Sequence, residues 1–180
     1  MLNTDIERVL VPQKEIAQIV KNLGKQITND FAGEELVVVC ILKGSSIFFS
    51  DLVREIDLDM KFDFMVLSSY GNGTTTTREI KIVKDLTEDI KDKNVLVVED
   101  IIDSGRTIKS LKELLEKREP KCLKIVTMLN KPDRREVDIV TDYNGKVIPD
   151  EFVVGYGLDY AQNYRNLKDI CVLSPSVYSK

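Results

Sequence analysis

The sequence predicts an α/β domain with a mainly parallel sheet flanked by helices, and three observations carry that expectation. Two continuous β-branched runs, Leu36-Val-Val-Val-Cys-Ile-Leu42 and Val95-Leu-Val-Val98, have the pattern of strands buried on both faces. Segments with helical spacing alternate with them, as in βαβ units. The chain has 180 residues, 43% hydrophobic and 31% charged, which suits one globular domain with a continuous core.

Taken in order, the segment after Pro12 carries Ile16, Ile19, Val20, Leu23 and Ile27, the spacing of one buried helical face. Pro12 fits the first turn, where its missing N–H is not needed. The run 36–42 is the first buried strand; Lys43-Gly44-Ser45-Ser46 breaks it, and 47–56 reads as a helix. Residues 60–67 and 79–84 alternate apolar and polar, as half-buried strands do. Between them, the run Gly-Asn-Gly-Thr-Thr-Thr-Thr at 71–77 reads as an exposed connection. Residues 95–98 form a second buried strand, followed by acids, a glycine and a helix over about 107–117 that ends before Pro120. Residues 122–129 and 152–154 complete the expected strands, and Asn144-Gly145-Lys146 reads as a tight turn with Lys146 toward solvent.

Composition removes several kinds of chemistry. There is no histidine, hence no Ser-His-Asp triad, Cys-His dyad or histidine metal site. The net charge of −4 disfavours broad binding to nucleic acid or acidic membranes. Cys40, Cys122 and Cys171 lack CxxC spacing and sit in apolar runs, which suits reduced thiols in a cytoplasmic protein. No apolar run reaches the ~18–20 residues of a membrane span, and the first ten residues do not read as a signal peptide. Any catalysis must rest on carboxylates, lysine, arginine, hydroxyls, backbone amides or a hard metal.

The most informative stretch is Val-Val-Glu99-Asp100-Ile-Ile-Asp103-Ser104-Gly105-Arg106-Thr107. A buried strand delivers two carboxylates to its carboxyl end, and a hydroxyl- and glycine-bearing loop then opens a helix. Helix N-terminal amides favour an anion, and glycine allows close backbone approach to a phosphate. Carboxylates beside a phosphate make sense as acceptors from sugar hydroxyls or as ligands of a divalent cation. The plainer alternative is a solvated acidic strand end followed by an N-cap at Asp103 or Ser104. Neither a Walker A loop nor a GxGxxG motif occurs.

This stretch resembles the phosphoribosyl pyrophosphate signature of the type I phosphoribosyltransferases. The whole chain is similar to the bacterial hypoxanthine (hypoxanthine-guanine) members of that family. Leu42-Lys43-Gly44 resembles the family's pyrophosphate loop, Ser68-Ser69-Tyr70-Gly71 its catalytic loop, and Lys131-Pro132 its purine-contact segment. The segment from Pro149 to Tyr160, with Tyr164-Arg165-Asn166-Leu167, resembles its C-terminal hood signature. The resemblance implies a core over about 1–145 and a hood formed mainly by 146–180, with a contribution from the N-terminus.

It further implies magnesium-dependent purine salvage. 5-Phosphoribose passes from phosphoribosyl pyrophosphate to N9 of hypoxanthine or guanine, giving IMP or GMP and pyrophosphate. Asp103 would accept the purine proton, with Ser69 and Tyr70 closing over the reacting centre. Lys43, Gly44, Glu99, Asp100, Asp103, Ser104, Gly105, Arg106, Thr107 and Arg165 would bind phosphoribosyl pyrophosphate. Lys131, Phe152, Val153 and Asp159 would hold the purine, and Glu99, Asp100 and Asp159 would ligate magnesium. Without the resemblance, Lys43 reads as a surface lysine, the 71–77 run as a plain hairpin and Phe152 as core. A homo-dimer or tetramer is implied as well. The alternatives are a xanthine-preferring transferase or an RNA-binding regulator on the same fold.

Overall fold

The computed structural model describes residues 4–69 and 80–179, with Ser69 and Ile80 described in backbone only. Its main sheet has six strands in the order β4-β3-β2-β5-β6-β7. These are β2 (Leu36–Leu42), β3 (Met60–Ser69), β4 (Ile80–Lys84), β5 (Asn94–Ile102), β6 (Cys122–Asn130) and β7 (Tyr143–Val147). All neighbours run parallel except β3 and β4, which pair antiparallel. A second sheet of three antiparallel strands joins β1 (Ile6–Val11), β9 (Ile170–Leu173) and β8 (Val153–Val154) in that order, so it unites the two ends of the chain.

The apolar runs follow from two-sided burial. On β2, Leu36, Val38 and Cys40 pack with Ile16, Val20, Leu23 and Ile27 of α1 (Gln13–Asp30) and with Phe48, Phe49 and Leu52 of α2 (Ser46–Leu52). Val37, Val39 and Ile41 face the opposite way, against Ile108, Leu111 and Leu115 of α3 (Arg106–Glu116). A strand covered by helices on both faces cannot alternate polar with apolar residues. Pro12 is the N-cap of α1, one position before the expected first turn.

Three differences from the sequence reading bear on the site. The acids at 99 and 100 lie within β5, not beyond it, because β5 continues to Ile102 beside β6 while its pairing with β2 stops at Val98. The Asn144-Gly145-Lys146 segment is not a turn. It is the body of β7, in register with Thr127 to Leu129 of β6. Asn144 accepts hydrogen bonds from the Thr127 and Thr141 hydroxyls, and Lys146 ion-pairs with Glu15 of α1 instead of pointing to solvent. The helix expected over 47–56 is shorter, ending at Leu52.

The strand order reverses between β2 and β5, since the chain builds outward to β3 and β4 on one side and to β6 and β7 on the other. In open α/β sheets the crevice at such a switch point, outside the carboxyl ends of the strands, is where ligands bind.

Candidate active site

At the switch point, β2 turns away after Leu42 and leaves the last stretch of β5 open. The Leu42–Lys43 peptide is cis. Gly44 then passes so close to β5 that a Cβ there would lie 1.6 Å from Asp100 Oδ2. On its other side, a Cβ at Gly157 would lie 2.0 Å from the Gly44 carbonyl oxygen. The loop after β2 is therefore clamped between β5 and the C-terminal segment.

Glu99 is only 8% exposed. Burial, and then the neighbouring Asp100 charge, push its carboxyl well above the ordinary carboxylate range. Burial likewise raises Asp100 to about 6, against hydrogen bonds from backbone N–H groups and the charge of Arg165, with Asp103 adding repulsion. Asp100 Oδ1 accepts the Ile101 N–H at 2.8 Å, but among the described residues neither carboxylate has a cation within ion-pairing distance. Buried Glu99 and half-buried Asp100, adjacent and without a side-chain partner among the described residues, have the chemistry to accept cationic charge or hydroxyl donors.

The loop after β5 differs from a capped helix start. The N-cap of α3 is Gly105, at φ +80° and without a side chain to cap the helix; Ser104, one residue earlier, accepts the Arg106 N–H on its Oγ at 3.4 Å. The amides of such a first turn are the arrangement that attracts an anion. A cavity of about 260 Å³ lies over them, lined by Glu99, Asp100, Asp103, Ser104, Gly105 and Thr107 among others. The segment after β6 holds the back of this loop. Arg135 donates to the Asp103 carbonyl at 2.6 Å and to Asn130 Oδ1 at 2.5 Å, and the Glu136 N–H donates to the Ser104 carbonyl at 3.0 Å. Arg106 Nε is held by Glu136 at 2.5 Å.

A second cavity, of about 410 Å³, adjoins the first through Asp103, which lines both. Lys131 enters it from the end of β6, 6% exposed, with Nζ 3.5 Å from Asp103 Oδ1. Phe152 and Val153, at the start of β8, form part of the wall together with Leu158 and Asp159. The Phe152 ring is held by two others: Tyr160 meets it edge-on at 5.6 Å, and Tyr178 of α4 (Pro175–Tyr178) stacks on it at 5.0 Å.

Asp159 and Arg165 form an ion pair at 2.8 Å, and Arg165 also donates to the Gly157 carbonyl at 2.7 Å. Gln162 joins this group. Its N–H donates to Asp159 Oδ2 at 2.8 Å, and its Oε1 accepts from Lys43 Nζ and from Arg165, each at 3.3 Å. Lys43, Asp159 and Arg165 are thus brought together, while Glu99 and Asp100 line the cavity over the start of α3. Among the described residues no three of His, Cys, Asp and Glu converge as a metal site. Any cation here would draw on one or two carboxylates and on ligand oxygens, the usual habit of magnesium.

Ser69 ends β3 with its side chain outside the described residues, and Tyr70 and the 71–77 run lie outside them altogether. Arg135, Gln162 and Tyr178 were not anticipated from the sequence. A lone arginine, glutamine or tyrosine in a polar segment carries no periodic signal, and only the fold brings them to the site.

The phosphoribosyl transferase domain family matches residues 10–161. Hypoxanthine-guanine phosphoribosyltransferase of Staphylococcus aureus (strain Mu50 / ATCC 700699) is 52% identical over 178 residues, 99% of each chain. A crystal structure of a hypoxanthine phosphoribosyltransferase from Staphylococcus aureus superposes with a TM-score of 0.96 at 51% identity, covering 99% of this chain and 97% of that one. A hypoxanthine-guanine phosphoribosyltransferase from Bacillus anthracis, solved with HEPES in its active site, gives a TM-score of 0.91 at 49% identity, covering 94% of this chain and 100% of that one. With the family match over most of its length and relatives of this similarity end to end, the chain belongs to the phosphoribosyl transferase domain family.

Proposed function

We propose that this chain is a purine-salvage transferase that moves 5-phosphoribose from phosphoribosyl pyrophosphate to N9 of hypoxanthine or guanine. The products are IMP or GMP and pyrophosphate. The observation that carries this reading is the pair of adjoining cavities joined at Asp103: one over the start of α3 at Gly105, the other with a buried lysine and an aromatic wall.

In the exchange at the ribose, the bond from C1′ to the pyrophosphate oxygen breaks and its electron pair leaves with pyrophosphate. The new bond to C1′ forms from purine N9, and the purine N–H proton passes to Asp103. The first-turn amides of α3, with Ser104 and Thr107, receive the 5′-phosphate. Glu99 and Asp100 accept from the ribose hydroxyls. The Gly44 turn with Lys43 and Arg165 receives pyrophosphate. Lys131 has only N–H donors, so it suits the O6 acceptor of a 6-oxopurine and rejects the amino group of adenine. Phe152 offers a ring face to the base and the Val153 backbone meets its edge. The adjacent Glu99–Asp100 carboxylates, without an ion-pair partner among the described residues, fit magnesium shared with ligand oxygens, and Asp159 is a second candidate ligand. The cation would supply charge to stabilise the leaving pyrophosphate.

The three free cysteines suit the reducing cytoplasm, and no described helix is long and apolar enough to cross a membrane. A homo-dimer or tetramer is proposed, to be checked by light scattering. The decisive experiment compares turnover of hypoxanthine, guanine, xanthine and adenine with phosphoribosyl pyrophosphate and magnesium. Turnover of hypoxanthine and guanine with little for adenine is expected; a preference for xanthine or adenine, or no turnover, overturns the reading.

A further inference from the structure

We propose that Gln162 is a positioning residue for the pyrophosphate end of the substrate, aiming Lys43 and Arg165 at one anion without neutralising either. This rests on the reading of Lys43 and Arg165 as pyrophosphate ligands. The two cations come from distant parts of the chain, one from the turn after β2 and the other from the segment before β9. Gln162 Oε1 accepts from both, at 3.3 Å each, and its own N–H donates to Asp159 Oδ2 at 2.8 Å. One residue therefore touches three of the side chains assigned to the site. Both cations can only donate, so this orientation of the carboxamide is the one that satisfies them.

The backbone is shaped for this contact. Tyr160 and Asn163 exchange backbone hydrogen bonds at 3.3 and 2.9 Å around a two-residue turn. Its central residues, Ala161 and Gln162, sit at φ +50° and +68°. Turns with both central residues left-handed ordinarily take Asn-Gly or Gly-Gly. Here two residues bearing a Cβ hold that conformation, which persists only where the surroundings enforce it. The result delivers the Gln162 carboxamide to Lys43, across 119 residues of sequence.

A neutral group has a physical advantage at this position. A carboxylate would form ion pairs with Lys43 and Arg165 and compete with pyrophosphate for the same charge. A carboxamide orients the cations by hydrogen bonding and adds no negative charge to the one that Asp159 already sets against Arg165.

The test is steady-state kinetics of the magnesium-supplemented enzyme, varying phosphoribosyl pyrophosphate and hypoxanthine separately, with thermal melts of each variant. Gln162→Ala should raise KM for phosphoribosyl pyrophosphate roughly tenfold, the equivalent of one lost hydrogen bond to a charged group. KM for hypoxanthine and the melting temperature should hardly move. Gln162→Glu, nearly isosteric, should raise KM for phosphoribosyl pyrophosphate further and weaken product inhibition by pyrophosphate. A purely structural role predicts the opposite order, with the glutamate variant resembling wild type. That order, or a Gln162→Ala enzyme with unchanged KM for phosphoribosyl pyrophosphate, overturns the proposal. Lys43→Ala and Arg165→Ala serve as controls. If neither raises this KM, the pyrophosphate reading fails and takes the proposal with it. If both raise it and Gln162→Ala does not, the proposal fails alone.

Discussion

Asp103 lies where the two cavities meet, its carboxylate half exposed and 3.5 Å from the buried Lys131 ammonium. An acid in that position can face one cavity while its backbone belongs to the loop that lines the other. Asp103→Asn keeps the shape and removes the proposed proton acceptor, so turnover should fall ~10²–10⁴-fold, the span of a positioned acid–base group. Wild-type turnover in that variant would remove Asp103 from the chemistry. Lys131→Ala should weaken discrimination against adenine, read as the ratio of kcat/KM for hypoxanthine and adenine; an unchanged ratio rejects the O6 contact. Gly44 is constrained by space alone, because a methyl group there meets Asp100 Oδ2 at 1.6 Å. Gly44→Ala must push Asp100 or the turn aside, and a large loss of kcat/KM for phosphoribosyl pyrophosphate is expected in the same assay.

At the level of elements, Asp63 of β3 fastens the sheet to the loop that follows β4. Its Oδ2 accepts the Thr87 N–H at 2.6 Å, and its Oδ1 accepts from the Phe64 N–H at 2.7 Å, the Thr87 hydroxyl at 3.2 Å and Lys84 Nζ at 3.4 Å. Burial pushes this carboxyl up, but those donors together outweigh it and hold it below its ordinary 3.8. A depressed folded value means stability that is fully present above pH 3.8 and lost as the pH falls through the lower, folded value. Asp63→Asn should therefore destabilise by about 1–3 kcal/mol at neutral pH, as for a partly stranded buried donor set. It should also remove part of the acid limb of the stability curve, measured by urea unfolding across pH 2–6. An acid limb identical to wild type would reject the clamp. The same strands show what the sequence made legible. Leu36–Leu42 declared itself because burial on both faces leaves an unbroken apolar run. β7 did not, because its Asn-Gly-Lys core satisfies its polar groups through Thr127, Thr141 and Glu15, partners remote in sequence. β1 stayed hidden because the strand it pairs with, β9, lies at the opposite end of the chain. The loop after β5 was legible as a glycine- and hydroxyl-bearing helix start, but the way Arg135 and Glu136 brace it from behind depends on where β6 delivers them.

For the molecule as a whole, the absence of histidine clears the pH range in which most proteins titrate many groups at once. Within it stands the Glu99–Asp100 pair, with Glu99 raised well above its ordinary value by burial and by Asp100, and Asp100 raised by burial to about 6. Carboxyls raised in the folded state bind more protons there than in the unfolded chain. Stability they contribute is then complete below the ordinary values, 4.5 and 3.8, and is lost as the pH rises through the folded ones. At about 1.4 kcal/mol per unit, the loss attributable to Asp100 is on the order of 2 kcal/mol once partial hydration is allowed for. Urea unfolding of the ligand-free protein from pH 4 to 8 should show stability declining through about pH 6. Asp100→Asn should flatten that decline, and a slope unchanged by the substitution would assign it elsewhere. Adding magnesium with phosphoribosyl pyrophosphate should restore stability most on the alkaline side, where both carboxylates are ionised and opposite charge counts most. Equal stabilisation at pH 5 and pH 8 would argue that the ligands bypass the pair. A net charge of −4 then appears as a property of the empty protein, because part of the acidic excess is stored where a cation and a sugar would meet it.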